Sequence, residues 1–279
     1  MSFDIDAYRR SVTPVRVDDL DWSAFERDPL RPDVLRCLRY MHDVESHTVC
    51  YLRDLLMTAS HRDPRITTFL TMWNYEEHWH GVAIGRVLRA HGEPAVDDRV
   101  AALRARQGAK AQLAPLVHWL ASALVGDDFV ATHMTWGAVN EWSTQTGYAR
   151  LAEVADHPVL TQLLERIARQ ESRHIAFYAT EARDRLARSA KARRATRWAL
   201  QKLWSPVGST VMPQAETRFL LGHLMGGADG VVAARRIDGH VDGLPGLAGL
   251  HLVATALEQW GVVTADGSRR MPAPAEIAA

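Results

Sequence analysis

The sequence predicts an all-α protein built around four long helices. Apolar residues recur at three- and four-residue steps over four long segments, which is the spacing of one buried helix face. Each segment carries one glutamate near its middle, inside the apolar row. A chain of 279 residues with 47% apolar side chains is long enough to bury a full-sized core around such helices.

The chain begins with a segment that has no sustained apolar period. Residues 1–30 are rich in Asp, Pro and aromatic residues, which predicts an extended arm with one short helix and no assigned chemistry. The first long helix is predicted from Asp33 to about Ala59. On one continuous helix, Cys37 and Cys50 would lie about 20 Å apart, which is too far for a disulfide.

Breaks that contain His, Asp and Pro separate the remaining helices. The second helix follows HRDP at 61–64 and is ended by Gly92 and Pro94, and DHP at 156–158 precedes the fourth. The predicted bounds are about Arg65–His91 for the second helix, Gln112–Leu124 for a helix in the connection that follows, Asp127–Val154 for the third and Val159–Ala187 for the fourth. The sequence then becomes glycine-rich, and GGADG at 226–230 is interpreted as a loop.

These elements predict one domain over residues 1–279, made of an arm at 1–30, four helices at 33–187 and a C-terminal helical extension at 188–279. Thirty-three basic and thirty-three acidic residues balance, so net charge offers no argument for a nucleic acid partner. The most apolar run, at 113–126, is shorter than the ~20 residues that cross a bilayer, which predicts no membrane span. The N-terminus lacks the features of a signal peptide, and two cysteines without a CxxC motif favour a reducing cytoplasm.

The four mid-helix glutamates form a pattern with two histidines. On the second and fourth helices a histidine follows the glutamate by three residues, so both side chains project from one helix face and can bind one ion together. The six residues are Glu45, Glu77 with His80, Glu141, and Glu171 with His174. One such pair arises readily by chance, whereas two pairs inside apolar rows indicate a shared site.

The spacing between the glutamates predicts how the helices connect. Glu45 and Glu77 are 32 residues apart and Glu141 and Glu171 are 30 apart, so each pair fits a helical hairpin with its glutamates at one level. The 64 residues from Glu77 to Glu141 allow a long crossover between the hairpins. This is the connectivity of a ferritin-like four-helix bundle, here with additional flanking helices.

Four carboxylates in a core require cations, because each buried ion costs several kcal/mol. Two divalent ions would balance the four glutamates, and the two imidazoles complete a nitrogen and oxygen ligand set suited to iron or manganese. Six ligands for two metals leave coordination sites open, which suits oxygen binding better than a structural role. The prediction is therefore two iron ions (Fe²⁺/Fe³⁺), with manganese as the alternative and O2 as co-substrate.

Two motifs resemble those of a known enzyme family. EEHWHG at 76–81 is similar to the EExxHG motif, and QESRH at 170–174 to the DExRH motif, of the soluble acyl-carrier-protein desaturases, which are ferritin-like di-iron enzymes. The resemblance covers residues 33–187. The metal ligands that it implies are the bridging Glu77 and Glu171, the terminal Glu45 and Glu141, and His80 with His174. Thr144 matches a family threonine close to where oxygen is activated.

The resemblance implies O2-dependent desaturation of a fatty acyl chain held on acyl carrier protein or as another acyl thioester. It also implies a ferredoxin-type electron donor and a homodimer. Two positions depart from related patterns. Gln170 stands where the family has an aspartate that orients a ligating histidine. Ile167 stands where the arylamine N-oxygenases have a further histidine, which argues against that branch.

Three classes of function stay open. The first is the oxidase, including a hydroxylase or oxygenase of another apolar biosynthetic substrate. The second is a ferroxidase or iron store, against which the long C-terminal extension argues. The third is a metal-free helical bundle that serves only in binding.

Several residues stay open between packing and function. Met134, Gly137 and Ala138 are candidates for the lining of a substrate channel, and Glu76 is either a hydrogen-bond partner near the metals or an exposed neighbour. Trp73 and Trp142, which flank predicted ligands, are assigned to core packing. The segment RDRLARSAKARRATRW at 183–198 holds seven basic residues and predicts a dock for an acidic carrier protein or ferredoxin, with a solvated helix face as the alternative.

Overall fold

The computed structural model describes residues 3–93 and 96–263, and at residues 96, 97 and 110 it describes only the backbone. The described residues are mostly helical and contain no strand, which confirms the all-α prediction. The α-helices are α1 (Ile5–Ser11), α2 (Ala24–Arg27), α3 (Pro32–Glu45), α4 (Thr48–Leu56), α5 (Pro64–Ala90), α6 (Val96–Val125), α7 (Phe129–Ala155), α8 (Pro158–Arg188), α9 (Ala190–Leu203), α10 (Gln214–Leu224), α11 (Gly227–Asp242) and α12 (Leu252–Gln259).

Local signals explain where the long helices start and end. Asp63 caps α5 by accepting backbone hydrogen bonds from its first turn, and Pro64 follows at the first helical position. His157 and Pro158 start α8 in the same way. α7 ends at Ala155, because the next residue, Asp156, has a φ of 49° in the left-handed region. α8 then packs along α7.

α3, α5, α7 and α8 pack side by side around the main core. α7 lies along α8, α3 lies along α5, and the two pairs meet where α3 contacts α7 and α5 contacts α8. Their facing sides bury large apolar residues completely, among them Leu38, Phe69, Ile84 and Phe177. The C-terminal helices α9, α10 and α11 contact α7, so the extension covers one side of this core.

The first long helix is not continuous, contrary to the prediction. α3 ends at Glu45 and α4 begins at Thr48. α5 passes the break at close range, because a Cβ on Gly81 would lie 2.9 Å from the Ser46 hydroxyl oxygen. The two cysteines therefore lie on different helices, and both thiols are free.

Two further predictions differ from the structure. The helix in the connection is longer than predicted, since α6 covers most of the segment, with a non-helical Gly108 (φ 47°, ψ −131°) between its two parts. GGADG is not a loop, because α11 begins at Gly227 within it. Position 230 at the end of this motif requires glycine, since a Cβ on Gly230 would lie 2.2 Å from the carbonyl carbon of Met225. Pro94 and residues 264–279 of the predicted extension lie outside the described residues.

One stretch is long and apolar enough to cross a membrane by length and composition alone. It runs from Ala111 to Ala155, and only a small share of its most apolar part is buried. Exposed apolar side chains in this stretch belong to α6: Leu113, Leu116, Val117, Trp119, Leu120 and Leu124. The second part of α6 thus presents an apolar face on the outside of the molecule.

Gly137 on α7 packs directly against the ring of Tyr178. A Cβ at this position would lie 2.3 Å from Tyr178 Cε1, well inside van der Waals contact. The Tyr178 ring is 2% exposed and contacts the rings of Phe69 and Trp73, so it has no free space to move into.

Gly137→Ala is expected to lower the free energy of unfolding by about 1–3 kcal/mol, because overpacking forces neighbouring side chains to shift. The matched control is Gly222→Ala on α10, where a Cβ would meet nothing within 4 Å. That change is expected to leave stability unchanged or to raise it by up to about 1 kcal/mol, since alanine favours helix. Urea unfolding measures both variants, and equal stabilities would contradict the close packing.

Candidate metal centre

The structure brings the six predicted residues together in the interior. Their helices are α3 for Glu45, α5 for Glu77 and His80, α7 for Glu141, and α8 for Glu171 and His174. All six residues are buried, and the most exposed of them is only 6% exposed. Four helices therefore direct acidic and imidazole groups into one buried cluster.

The cluster consists of two groups that share two residues. Within each group of four, one nitrogen or oxygen atom per residue lies within 4.8 Å of all the others. One group is Glu45, Glu77, His80 and Glu171, and the other is Glu77, Glu141, Glu171 and His174. Glu77 and Glu171 belong to both groups and lie between them. Each group could hold a metal ion.

Both histidines direct Nδ1 towards the cluster. His80 Nδ1 lies 3.3 Å from Glu171 Oε1, and His174 Nδ1 lies 2.7 Å from Glu171 Oε2 and 3.1 Å from Glu77 Oε1. The other ring nitrogen, Nε2, is bonded outwards, to Gln170 for His80 at 2.8 Å and to Glu76 for His174 at 3.0 Å. Metal-binding histidines have this arrangement, in which an outer hydrogen bond fixes the ring.

Burial, together with mutual repulsion, prevents this cluster from holding four charged carboxylates by itself. Burial, followed by repulsion from Glu171, raises the pKa of Glu77 to about 7 and that of Glu141 to about 8. Burial and the neighbouring Glu77 raise the pKa of Glu45 well above its usual range. Burial also acts to raise the pKa of Glu171, but the charges of His174 and His80 outweigh it and lower that pKa.

The atoms left without partners fit divalent cations. Glu45 Oε2, Glu77 Oε1, Glu171 Oε1 and His80 Nδ1 are buried and make no hydrogen bond of good geometry among the described residues, although His174 and His80 approach two of them at 3.1 and 3.3 Å. Each unsatisfied buried polar group costs about 1–3 kcal/mol. Two divalent ions would bind these atoms and balance the four carboxylates, and the mixed nitrogen and oxygen donors suit iron or manganese. The residues present therefore fit a pair of metal ions.

Two aromatic side chains hold the outer glutamates. The Tyr148 hydroxyl donates to Glu45 Oε1, and Trp73 Nε1 donates to Glu141 Oε1 at 2.9 Å. Each bond leaves the second carboxylate oxygen for another partner. The sequence pattern predicts a packing role for Trp73 and gives no role at the site to Tyr148. The available signal is that Tyr148 follows Glu141 by seven residues, two turns along the same helix face.

An apolar cavity reaches the cluster from the side covered by the C-terminal helices. The cavity has a volume of about 90 Å³. Its wall includes Glu45, Thr144 and Tyr148 together with apolar residues of α10 and α12, such as Leu224 and Leu257. Thr144 therefore lines the same space as one residue of the cluster.

The lining of this cavity differs from the prediction. Met134, Gly137 and Ala138 do not line it; Met134 and Ala138 are buried in the core, and Gly137 is half-buried against the ring of Tyr178. The lining part of α7 lies one to two turns after Glu141 and includes Thr144 and Gly147. The C-terminal helices that complete the wall carry no motif by which sequence reasoning could have placed them there.

Metal binding is expected to stabilise the folded chain. A ligand that binds only the folded state adds about 2.7 kcal/mol at 100 times its Kd. Mn²⁺ added to metal-free protein should therefore raise the midpoint of thermal unfolding by roughly 5–10 °C. Calorimetry measures the shift, and Mg²⁺, which disfavours imidazole ligands, is the control. A midpoint that moves with neither Mn²⁺ nor Fe²⁺ would contradict a metal centre.

Comparison of the chain with models of known protein families, with curated proteins and with solved structures finds no match.

Proposed function

We propose that this protein is an O2-dependent di-iron oxidoreductase that removes hydrogen from an unactivated C–H bond of a fatty acyl chain. One observation carries the proposal: a buried cluster of two overlapping Glu/His groups adjoins an apolar cavity, and Glu45 is part of the cluster and also of the cavity wall. A metal pair alone would fit iron storage equally well. An apolar cavity beside it favours an organic substrate.

The arrangement of the helices supports a ferritin-like bundle. α3 pairs with α5, α7 pairs with α8, and α6 lies in the long connection between the two pairs. Each of the four helices contributes one glutamate, and α5 and α8 each add a histidine three residues later, as in di-iron carboxylate proteins. The resemblance to the acyl-carrier-protein desaturases supports the same class and extends the proposal to a cytoplasmic homodimer.

The six cluster residues would hold two iron ions, with Glu77 and Glu171 common to both groups of ligands, and manganese fits the same donors. When bound, this metal pair supplies the reduction of O2 and the oxidation of an inert C–H bond, which side-chain acids and bases do not perform. A ferredoxin-type protein is the proposed source of the two further electrons.

The chain's own residues bind and orient the substrate. The apolar wall excludes water, and each methylene that it buries contributes about 0.8 kcal/mol to binding. Thr144 is half-buried in this wall, one helical turn from Glu141, and offers a hydroxyl where the cavity meets the cluster. Tyr148 and Trp73 hold Glu45 and Glu141 in position by hydrogen bonds.

The test is reconstitution of the metal-free chain with Fe²⁺, followed by reduction and exposure to O2 with palmitoyl and stearoyl thioesters of acyl carrier protein. The expected result is O2 consumption matched by a product that has lost two hydrogens, measured by mass spectrometry. A hydroxylated product would assign the hydroxylase alternative. Thr144→Val, which keeps the shape of the side chain and removes its hydroxyl, should lower product formation and leave the iron content unchanged.

Iron oxidation without any organic product, tested over acyl thioesters and free fatty acids, would contradict the oxidase and favour iron handling. A folded chain that binds no iron would contradict both and leave a metal-free binding protein.

The basic segment at 183–198 is the proposed dock for the acidic carrier protein or ferredoxin. Its cations have different surroundings. Arg193 and Arg197 donate to backbone carbonyls of neighbouring segments, whereas Arg188 and Arg194 are exposed. Charge reversal at Arg193 would disturb a structural contact, so Arg188 and Arg194 are the better positions for a test.

Arg188→Glu combined with Arg194→Glu is expected to weaken binding of acyl carrier protein or ferredoxin about tenfold at low salt and less at high salt, because exposed charges are screened. Titration calorimetry at two salt concentrations measures the change. Arg235→Glu, an exposed position on α11, is the control. An unchanged affinity, or an equal loss in the control, would discard this dock.

A further inference from the structure

Residues 3–23 of the N-terminal arm lie against α5 and α8 beside the Glu/His cluster. Phe3 contacts the ring of Phe177, and Tyr8, which is 3% exposed, packs beside Phe69. Arg173 on α8 donates to the carbonyl and the hydroxyl of Ser11, at 3.2 and 3.1 Å. The arm is thus anchored on the two helices that carry the histidines.

Tyr8 reaches the outer partner of His174. Glu76 is completely buried, and its Oε2 accepts from the Tyr8 hydroxyl at 2.8 Å and lies 3.0 Å from His174 Nε2. The Arg173 guanidinium donates to the other oxygen, Oε1. A carboxylate paired with arginine only accepts hydrogen bonds, so His174 Nε2 carries a hydrogen and Nδ1 faces the cluster.

The arm fixes the partner of His80 through its backbone. Gln170 Nε2 donates to the carbonyl of Thr13 at 3.0 Å, and Gln170 Oε1 lies 2.8 Å from His80 Nε2. Because a carbonyl can only accept, Thr13 determines which end of the amide faces His80. The amide oxygen then accepts from His80 Nε2–H, and the lone pair of His80 Nδ1 is available inside the cluster.

We propose that the N-terminal arm positions the metal ligands: Tyr8 and the Thr13 carbonyl hold the outer partners of His174 and His80, so that both Nδ1 atoms face the two metal ions. This inference rests on the metal pair of the proposed function. It also makes the two positions unequal. His174 has a carboxylate partner, which increases ligand basicity, whereas His80 has a neutral amide. The first ion therefore binds in the group of His174.

Titration of the metal-free, full-length chain with Co²⁺ in competition with a chelator tests the inference, because it resolves two binding steps. Tyr8→Phe removes one hydroxyl and is expected to weaken the tighter step about tenfold. Gln170→Met removes both amide bonds and is expected to weaken the looser step about 10- to 100-fold. Each variant should leave the other step within about twofold, whereas a loss of general stability would weaken both steps together.

Tyr75→Phe on α5 and Gln162→Met on α8 are the controls, since both residues are exposed. If the wild-type chain binds two ions and neither arm-linked variant weakens its step, the inference fails and the oxidase proposal stands. If the variants behave as expected but no substrate is oxidised, the oxidase proposal fails and the inference stands. A chain that binds no Co²⁺ overturns both.

Discussion

Glu171→Ala is expected to abolish binding of both metal ions proposed for the cluster, whereas Glu45→Ala or Glu141→Ala is expected to abolish binding of one. Glu171 belongs to both groups of the cluster, and its two oxygens lie near different histidines, Oε1 near His80 and Oε2 near His174. Its loss deprives each position of a ligand and of negative charge at once. Elemental analysis after reconstitution with Fe²⁺ and removal of unbound metal measures the ions per chain.

Glu165→Ala is the matched control for this change, because Glu165 lies on the same helix but is exposed. It should retain two ions. Circular dichroism checks that the Glu171→Ala chain keeps its helices. A folded Glu171→Ala chain that still holds one ion would mean that the remaining residues complete a site without Glu171, which contradicts its position between the two groups.

Gly147→Leu is expected to block the proposed oxidation of long acyl chains and to leave the binding of the two proposed metal ions unchanged. Gly147 lines the cavity, and a Cβ there would meet only the Met41 methyl group, at an ordinary contact distance of 3.6 Å. A leucine therefore fits on the helix and projects into the space proposed for the substrate. Each methylene that no longer fits costs about 1–3 kcal/mol, or 10- to 200-fold in kcat/KM, so the loss should grow with chain length.

Rates with a series of acyl thioesters, from short to long, measure this effect. Gly222→Leu is the control, since a Cβ at Gly222 meets nothing within 4 Å. The shortest substrates should be the least affected by Gly147→Leu. A loss of activity that is the same for every chain length, or that accompanies a loss of metal, would show that the cavity is not the substrate site.

The cluster is the part of this molecule that local sequence patterns describe best. A Glu and a His three residues apart must project from one face of a helix, and an acid inside an apolar row must find a buried partner. Those two rules select Glu77 with His80 and Glu171 with His174. Matching depth in the other helices then selects Glu45 and Glu141, and the structure brings all six together.

The break after Glu45 shows where local patterns fail. The apolar row continues from α3 into α4, so periodicity predicts one helix. The chain instead breaks where α5 approaches closely enough to require Gly81 opposite Ser46. Such a contact depends on the packing of two helices, and the pattern of either helix alone does not contain it.

The surroundings of the cluster depend even more on distant parts of the chain. Tyr8 meets Glu76 across 68 residues, and Thr13 meets Gln170 across 157. The cavity wall likewise combines α7 with helices far along the C-terminal extension. Neither the arm nor the extension carries a motif, because a hydroxyl, a backbone carbonyl and ordinary leucines suffice for these contacts.

The sequence by itself determined the helical class and the identity of the six clustered residues, since both follow from spacing along one helix at a time. The tertiary structure alone decided what surrounds them: the two groups that share Glu77 and Glu171, the arm that holds the outer partners of the histidines, and the cavity that adjoins Glu45. Helical periodicity states which way a side chain points, whereas its neighbours depend on how separate segments pack.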